Sequence, residues 1–148
     1  MTKRTTSATR RNEHDGVIYS AIKYSRLLRT LIGVPLKPVA NISLTELTEM
    51  STRMYGGLVK AVVDVNRKLV VVDADMHADE EAYLLDEGST QEDLWGINLH
   101  PDLWDTDDFI EFDSMINLRP SQDNRSRFVE DPTTQEKIRA LIAEVVYE

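Results

Sequence analysis

The chain has 148 residues, a formal charge of −9 and no cysteine, a length that suits one domain with a core of its own. Without cysteine there is no disulfide framework, thiolate zinc site or cysteine nucleophile. No apolar run is long enough for a membrane span and the first residues lack the pattern of a secretory signal, so the sequence reads as soluble and cytoplasmic.

The charge is unevenly placed. Residues 1–38 hold 8 Lys and Arg against 2 acids, whereas residues 39–148 hold 9 against 24. This divides the chain into a basic N-terminal extension over 1–38 and a single acidic domain over 39–148. An acidic body repels phosphates, so nucleic acid or an anionic membrane would be met only through residues 1–38. Residues 1–15 have the composition of a disordered tail. The stretch that follows, GVIYSAIKYSRLLRTLIGVPLKP, places Ile18, Ile22, Leu28, Leu31 and Ile32 at helical spacing with Lys23, Arg26 and Arg29 between them. It predicts a basic amphipathic helix suited to a membrane surface, an organelle transit segment, a partner or the acidic body itself, with simple packing as the plainer role.

In the domain, Ser43 followed by Glu46 is a capping box, and Ile42 with Leu47 has the spacing of a hydrophobic staple. A helix is expected from Leu44, with Leu44, Leu47, Met50 and Met54 as its buried stripe and Gly56-Gly57 as its stop. The Val-rich run from Leu58 to Asp73, broken by Asn66, Arg67 and Lys68, predicts two strands and a tight turn. HADEEAYLLDEG reads as a short helix ended at Gly88. LWGINLHP alternates as a strand, and PDLWDTD is an acidic, turn-rich loop.

Asp108–Pro120, DFIEFDSMINLRP, is predicted as a further strand forming a hairpin with the one before it. Ile110, Phe112, Ser114, Ile116 and Leu118 would take one face, and Glu111, Asp113, Asn117 and Arg119 the other. After the polar loop SQDNRSRFVE, Asp131 and Pro132 supply an N-cap and a first-turn proline. Ile138, Leu141, Ile142, Val145 and Val146 then trace a helical stripe. The order α-β-β-α-β-β-α, preceded by the basic helix, predicts an α+β fold: a mostly antiparallel sheet of about four strands with helices on one face.

The stretches LVKAVVDV, MHADEE, LLDEGSTQEDLWGINLHP, FIEFDSMINLRPSQDNRSR and VEDP together resemble an uncharacterised bacterial family filed as domain of unknown function 5674. The resemblance covers roughly residues 39–148. It implies a small prokaryotic domain of this size and carries over no catalytic residue or ligand; the extension over 1–38 is a departure from it.

Three constellations could carry chemistry. Asp73, Asp75 and His77, alternating on an extended backbone, could converge on a divalent metal, with capping of the next helix by His77 or Asp79 as the structural alternative. Glu111, Asp113, Asn117 and Arg119, with Asn98 and His100 from the neighbouring strand, form a polar strand face that could hold an acid–base pair or a salt-bridge net. Arg119, Asn124, Arg125 and Arg127 could form an anion site. Alternatively, the arginines clamp Glu111, Asp113, Glu130 or Asp131 and tie the loop to the sheet. Trp104, in its loop, is the interface candidate.

No GxSxG, Walker, HExxH or GxGxxG template is present. The leading expectation is therefore a binding or regulatory module acting through contact with a protein partner or a second copy. The alternative is a metal-assisted hydrolase or phosphate-ester enzyme using Asp73, Asp75, His77 and Glu111, with Arg119 or Arg125 as anion clamp.

Overall fold

The structure, a computed structural model, describes residues 36–54 and 56–148. The expected N-terminal tail and basic helix lie outside the described residues. The capping box forms as the sequence predicts: Ser43 Oγ accepts from Glu46 N at 3.2 Å and Glu46 Oε2 accepts from Ser43 N at 2.8 Å, opening helix α1 (Leu44–Arg53). The chain beyond α1 turns on Gly56 and Gly57, both at positive φ, which glycine adopts without a steric penalty.

Strands β2 (Val59–Asp64) and β3 (Leu69–Val72) form the predicted hairpin. Asp64 is fully buried at its end, and its Oδ1 accepts from Asn66 N at 3.0 Å and Arg67 N at 2.8 Å, so the carboxylate fixes the turn. Helix α2 (His77–Asp86) follows, and Gly88 at φ 95 leads the chain out of it. The N-cap of α2 is Met76, which makes no side-chain cap bond, and His77 is buried; Asp79 stands in the first turn, where an acid favours the positive end of the helix.

Strand β4 (Leu94–Leu99) pairs antiparallel with β2 along its whole length, completing with β5 (Ile110–Glu111) an antiparallel sheet in the order β3-β2-β4-β5. Asp131 caps helix α3 (Pro132–Val145), its Oδ2 accepting from Thr134 N at 3.0 Å. A two-residue parallel sheet that the sequence does not announce, β1 (Ile42–Ser43) with β6 (Val146–Tyr147), joins the start of α1 to the end of α3. The fold is α+β.

The predicted strand over Asp108–Pro120 is corrected. Only Ile110 and Glu111 pair with β4, opposite Leu99 and Asn98. Ser114 N donates instead to the Arg127 carbonyl, and Ser114 Oγ accepts from Ile116 N, opening a 3₁₀ turn over Met115–Asn117; Pro120 opens another. The turn breaks the two-residue alternation, so the two sets of side chains do not keep to opposite faces. Asn117 and Arg119 go inward, while Met115 and Leu118 stand 63% and 43% exposed.

The helices also divide between the two faces of the sheet rather than sharing one. Val59, Ala61, Val63, Ile97 and Leu99 pack with Leu47 of α1 and Ile138, Leu141, Ile142 and Val145 of α3. On the opposite face Val62, Val71 and Leu94 pack with Leu84 of α2, joined by Leu36 and Ile116. Each buried Leu, Ile or Val contributes about 1.5–3 kcal/mol relative to exposure, and with both faces covered Val59, Ala61, Val62 and Val63 of β2 and Leu94, Trp95, Ile97 and Leu99 of β4 are all buried. Leu36 and Pro38 belong to this body: Pro38 bridges Val71 on the edge strand β3.

Candidate functional site

Antiparallel pairing sets Asn98 of β4 opposite Glu111 of β5, and that register builds one wall of the site. Asn98 Nδ2 donates to Glu111 Oε2 at 2.8 Å and to the Asp113 carbonyl at 3.2 Å, while His100 Nε2 meets the same Oε2 at 3.1 Å. Burial pushes the Glu111 carboxyl up, but the bonds from Asn98 and His100 outweigh it and leave the carboxyl below its ordinary value. Two residues on, Arg127 grips Asp113 with parallel bonds, Nε to Oδ1 at 2.7 Å and Nη2 to Oδ2 at 2.9 Å.

Between β5, the loop before it and α3 lies an open groove of about 600 Å³. Phe112 and Phe128 meet edge to face at 5.9 Å in its floor, with Leu103 and Ile110 beside them. Phe128 and Leu103 are 49% and 40% exposed. The rim holds Asp107, Asp108, Glu111 and Asp113, with Gln135 and Arg139 presented one helical turn apart by α3. The Arg139 guanidinium lies 5.0 Å over the Phe112 ring. A second hollow of about 510 Å³ adjoins, sharing Asp107, Ile110 and Arg139. Trp104 lines it, half-buried against Phe109 at a ring separation of 4.9 Å, so the indole is anchored on the core instead of standing free.

Other predicted site residues are used elsewhere. Asn117 is fully buried and bonds both backbone groups of Gly96. Arg119 donates through Nη1 and Nη2 to the carbonyls of Gln91 and Leu94, with its guanidinium 4.1 Å over the Trp95 ring. It thus bonds main-chain carbonyls and neither carboxylate of the strand. Asn124 Nδ2 donates to the carbonyls of Asn117, Ser126 and Phe128, and its Oδ1 accepts from Glu130 N, gathering the loop around one amide. Arg125 bonds Glu130 through its backbone N at 3.1 Å and stays exposed. Arg127 with Asp113 matches the predicted clamp; Glu111 is held by an amide and an imidazole instead.

Asp73, Asp75 and His77 are not brought together. His77 is buried with Nε2 donating to the Ile97 carbonyl at 2.8 Å, Asp73 faces Arg53 at 3.4 Å, and Asp75 is exposed. Among the described residues no three His, Asp or Glu side chains are grouped to hold a metal ion. Asp107, Asp108, Phe128 and Arg139 line the groove without having been singled out from sequence. The only local signal was the spacing of Gln135 and Arg139 on the outer face of a helix.

An α+β domain with an open, acid-rimmed aromatic groove is what the geometry defines. The family described as protein of unknown function (DUF5674) matches residues 39–145, and the chain belongs to this family. No curated protein and no solved structure matches it. Among the described residues no helix is long and apolar enough to cross a membrane.

Proposed function

We propose that the domain is a cytoplasmic binding module that takes a cationic, apolar-anchored segment of a protein partner in the groove over Phe112 and Phe128. One observation carries the reading: four carboxylates, Asp107, Asp108, Glu111 and Asp113, rim a floor whose Phe128 ring is half exposed. Apolar side chains buried on such a floor supply affinity, and rim carboxylates select basic neighbours and speed encounter. The metal-assisted alternative has less support, because Asp73 and His77 have separate partners, Asp75 is exposed and Arg119 is committed to backbone carbonyls.

The test is a titration with a designed Leu/Lys amphipathic helical peptide, followed by backbone NMR shifts. The full chain carries Lys23→Ser, Arg26→Ser and Arg29→Ser, so that its own cations do not compete. Saturable shifts at Phe128 and Asp108 that weaken with salt are expected, and Phe128→Asp should abolish them. Absence of saturable binding, or binding indifferent to Phe128→Asp, contradicts the proposal.

A further inference from the structure

We infer that the groove is occupied in cis by residues 17–32 of this same chain, which makes the basic extension a built-in competitor for the site. The inference rests on the reading of the groove as a binding surface and adds the identity of its resting occupant. Charge complementarity is its first support. Residues 102–113, which form the loop and strand beside the groove, carry six acids and no Lys or Arg, whereas residues 16–35 carry Lys23, Arg26 and Arg29 and no acid. Among the described residues the Asp107 and Asp108 carboxylates make no hydrogen bond or ion pair, so they are available to incoming cations.

The second support is pattern. Ile18, Ile22, Leu28, Leu31 and Ile32 fall within one half of a helical projection, with Lys23 and Arg26 on the other half and Arg29 between Ile18 and Ile22. That matches an aromatic floor edged by carboxylates, with apolar side chains over Phe128 and Leu103 and cations toward Asp107, Asp108 and Glu111.

Reach is the third. Three residues separate the segment from Leu36, which packs on the α2 face of the body near the β3 edge. The groove opens at the opposite edge and on the α3 face, so the path crosses a four-stranded sheet roughly 14 Å wide at about 4.8 Å per strand step and passes one layer of roughly 10 Å. Sixteen helical residues span roughly 24 Å and the three residues joining them to Leu36 add roughly 10 Å when extended, more than that path requires. Tethering through so short a connection gives an effective concentration of order millimolar, so even a weak intrinsic contact is well populated.

The chain lacks cysteine, so Gly16→Cys introduces a single thiol for a nitroxide label next to the segment. In the full-length labelled protein the amide signals of Asp108, Phe128 and Arg139 should lose intensity, and Arg26→Glu with Arg29→Glu should restore them. In the titration with the Leu/Lys peptide, the chain with its three cations replaced by serine should bind roughly ten-fold or more tightly than the unaltered chain. Undiminished groove signals in the labelled protein overturn the inference. So does intensity loss seen only when labelled and isotope-enriched chains are separate molecules, which would make a second copy the occupant. If both chains bind the peptide equally, cis docking fails and the groove's binding role stands; if neither binds, the binding role itself fails.

Discussion

The side-chain amide of Asn117 pairs with the backbone of Gly96 as a strand would: Oδ1 accepts from Gly96 N at 2.8 Å and Nδ2 donates to Gly96 O at 2.9 Å. Strand β5 pairs with β4 only at Asn98 and Leu99, and beyond them this one amide takes over the ladder. Asn117 Nδ2 also donates to the Arg127 carbonyl at 3.0 Å, which ties the loop that ends at Phe128 to the sheet. Asn117→Asp removes both donations and sets a carboxylate in a fully buried position, so it should cost about 2–4 kcal/mol in urea unfolding. A change within experimental error would show that the amide does not serve as the ladder's continuation.

Gly96 leaves room for the turn that displaces the expected strand. A methyl at position 96 would meet Ser114 Oγ at 2.5 Å and Ser114 Cβ at 2.6 Å. Gly96→Ala should therefore destabilise by roughly 1–3 kcal/mol. Adding Ser114→Gly should return part of that loss, and the cycle of single and double variants measures it. A double variant no more stable than Gly96→Ala alone would refute the close approach as the cause.

His77 predicts a pH dependence. Burial holds its imidazole below its ordinary value; the bond to the Ile97 carbonyl and the charge of Asp113 oppose this, and Lys60 and Arg127 reinforce it. As pH falls through the unfolded histidine value of about 6.5, the unfolded chain takes up the proton before the folded one does. The His77 contribution is thus present above that pH and lost below it. Unfolding free energy should decline between about pH 7.5 and about pH 5.5, before carboxylates titrate. His77→Gln should flatten that decline, and an unchanged slope would assign it to another group. Glu111, whose carboxyl is below its ordinary value, contributes above the carboxylate range and loses its contribution only as pH falls through it.

Arg119 is a test of fork geometry. Its two terminal nitrogens satisfy two carbonyls at once while the plane rests on Trp95. Arg119→Lys keeps the charge but cannot reproduce either feature, so a loss of about 1–3 kcal/mol in thermal or urea unfolding is expected. Equal stability of the lysine form would reduce Arg119 to a simple counter-charge.

Short-range signals in the sequence were legible. Ser43 with Glu46 and Asp131 with Pro132 specify helix starts within four residues, and the break at Asn66–Lys68 specifies a hairpin, because each rests on neighbouring atoms. The end of β5 was not legible. DFIEFDSMINLRP alternates convincingly, and what cancels the strand is a serine hydroxyl bonded two residues on and a contact with Arg127, thirteen residues away in the chain. The polar set on that stretch consequently divided. Glu111 and Asp113 reached the groove, whereas Asn117 and Arg119 turned inward to main-chain partners that periodicity does not identify. Phe128 sat in a loop whose composition reads as polar, and its value lies in remaining half exposed next to Phe112.

The central claim, that the acid rim and aromatic floor of the groove select a cationic amphipathic segment, is tested most directly by exchanging charges. In the chain with Lys23→Ser, Arg26→Ser and Arg29→Ser, the further changes Asp107→Lys and Asp108→Lys should lower affinity for the Leu/Lys peptide about ten-fold or more and create affinity for a Leu/Glu peptide of the same length, both read by calorimetry. Unaltered affinity for the Leu/Lys peptide, with no gain for the Leu/Glu peptide, would contradict the account.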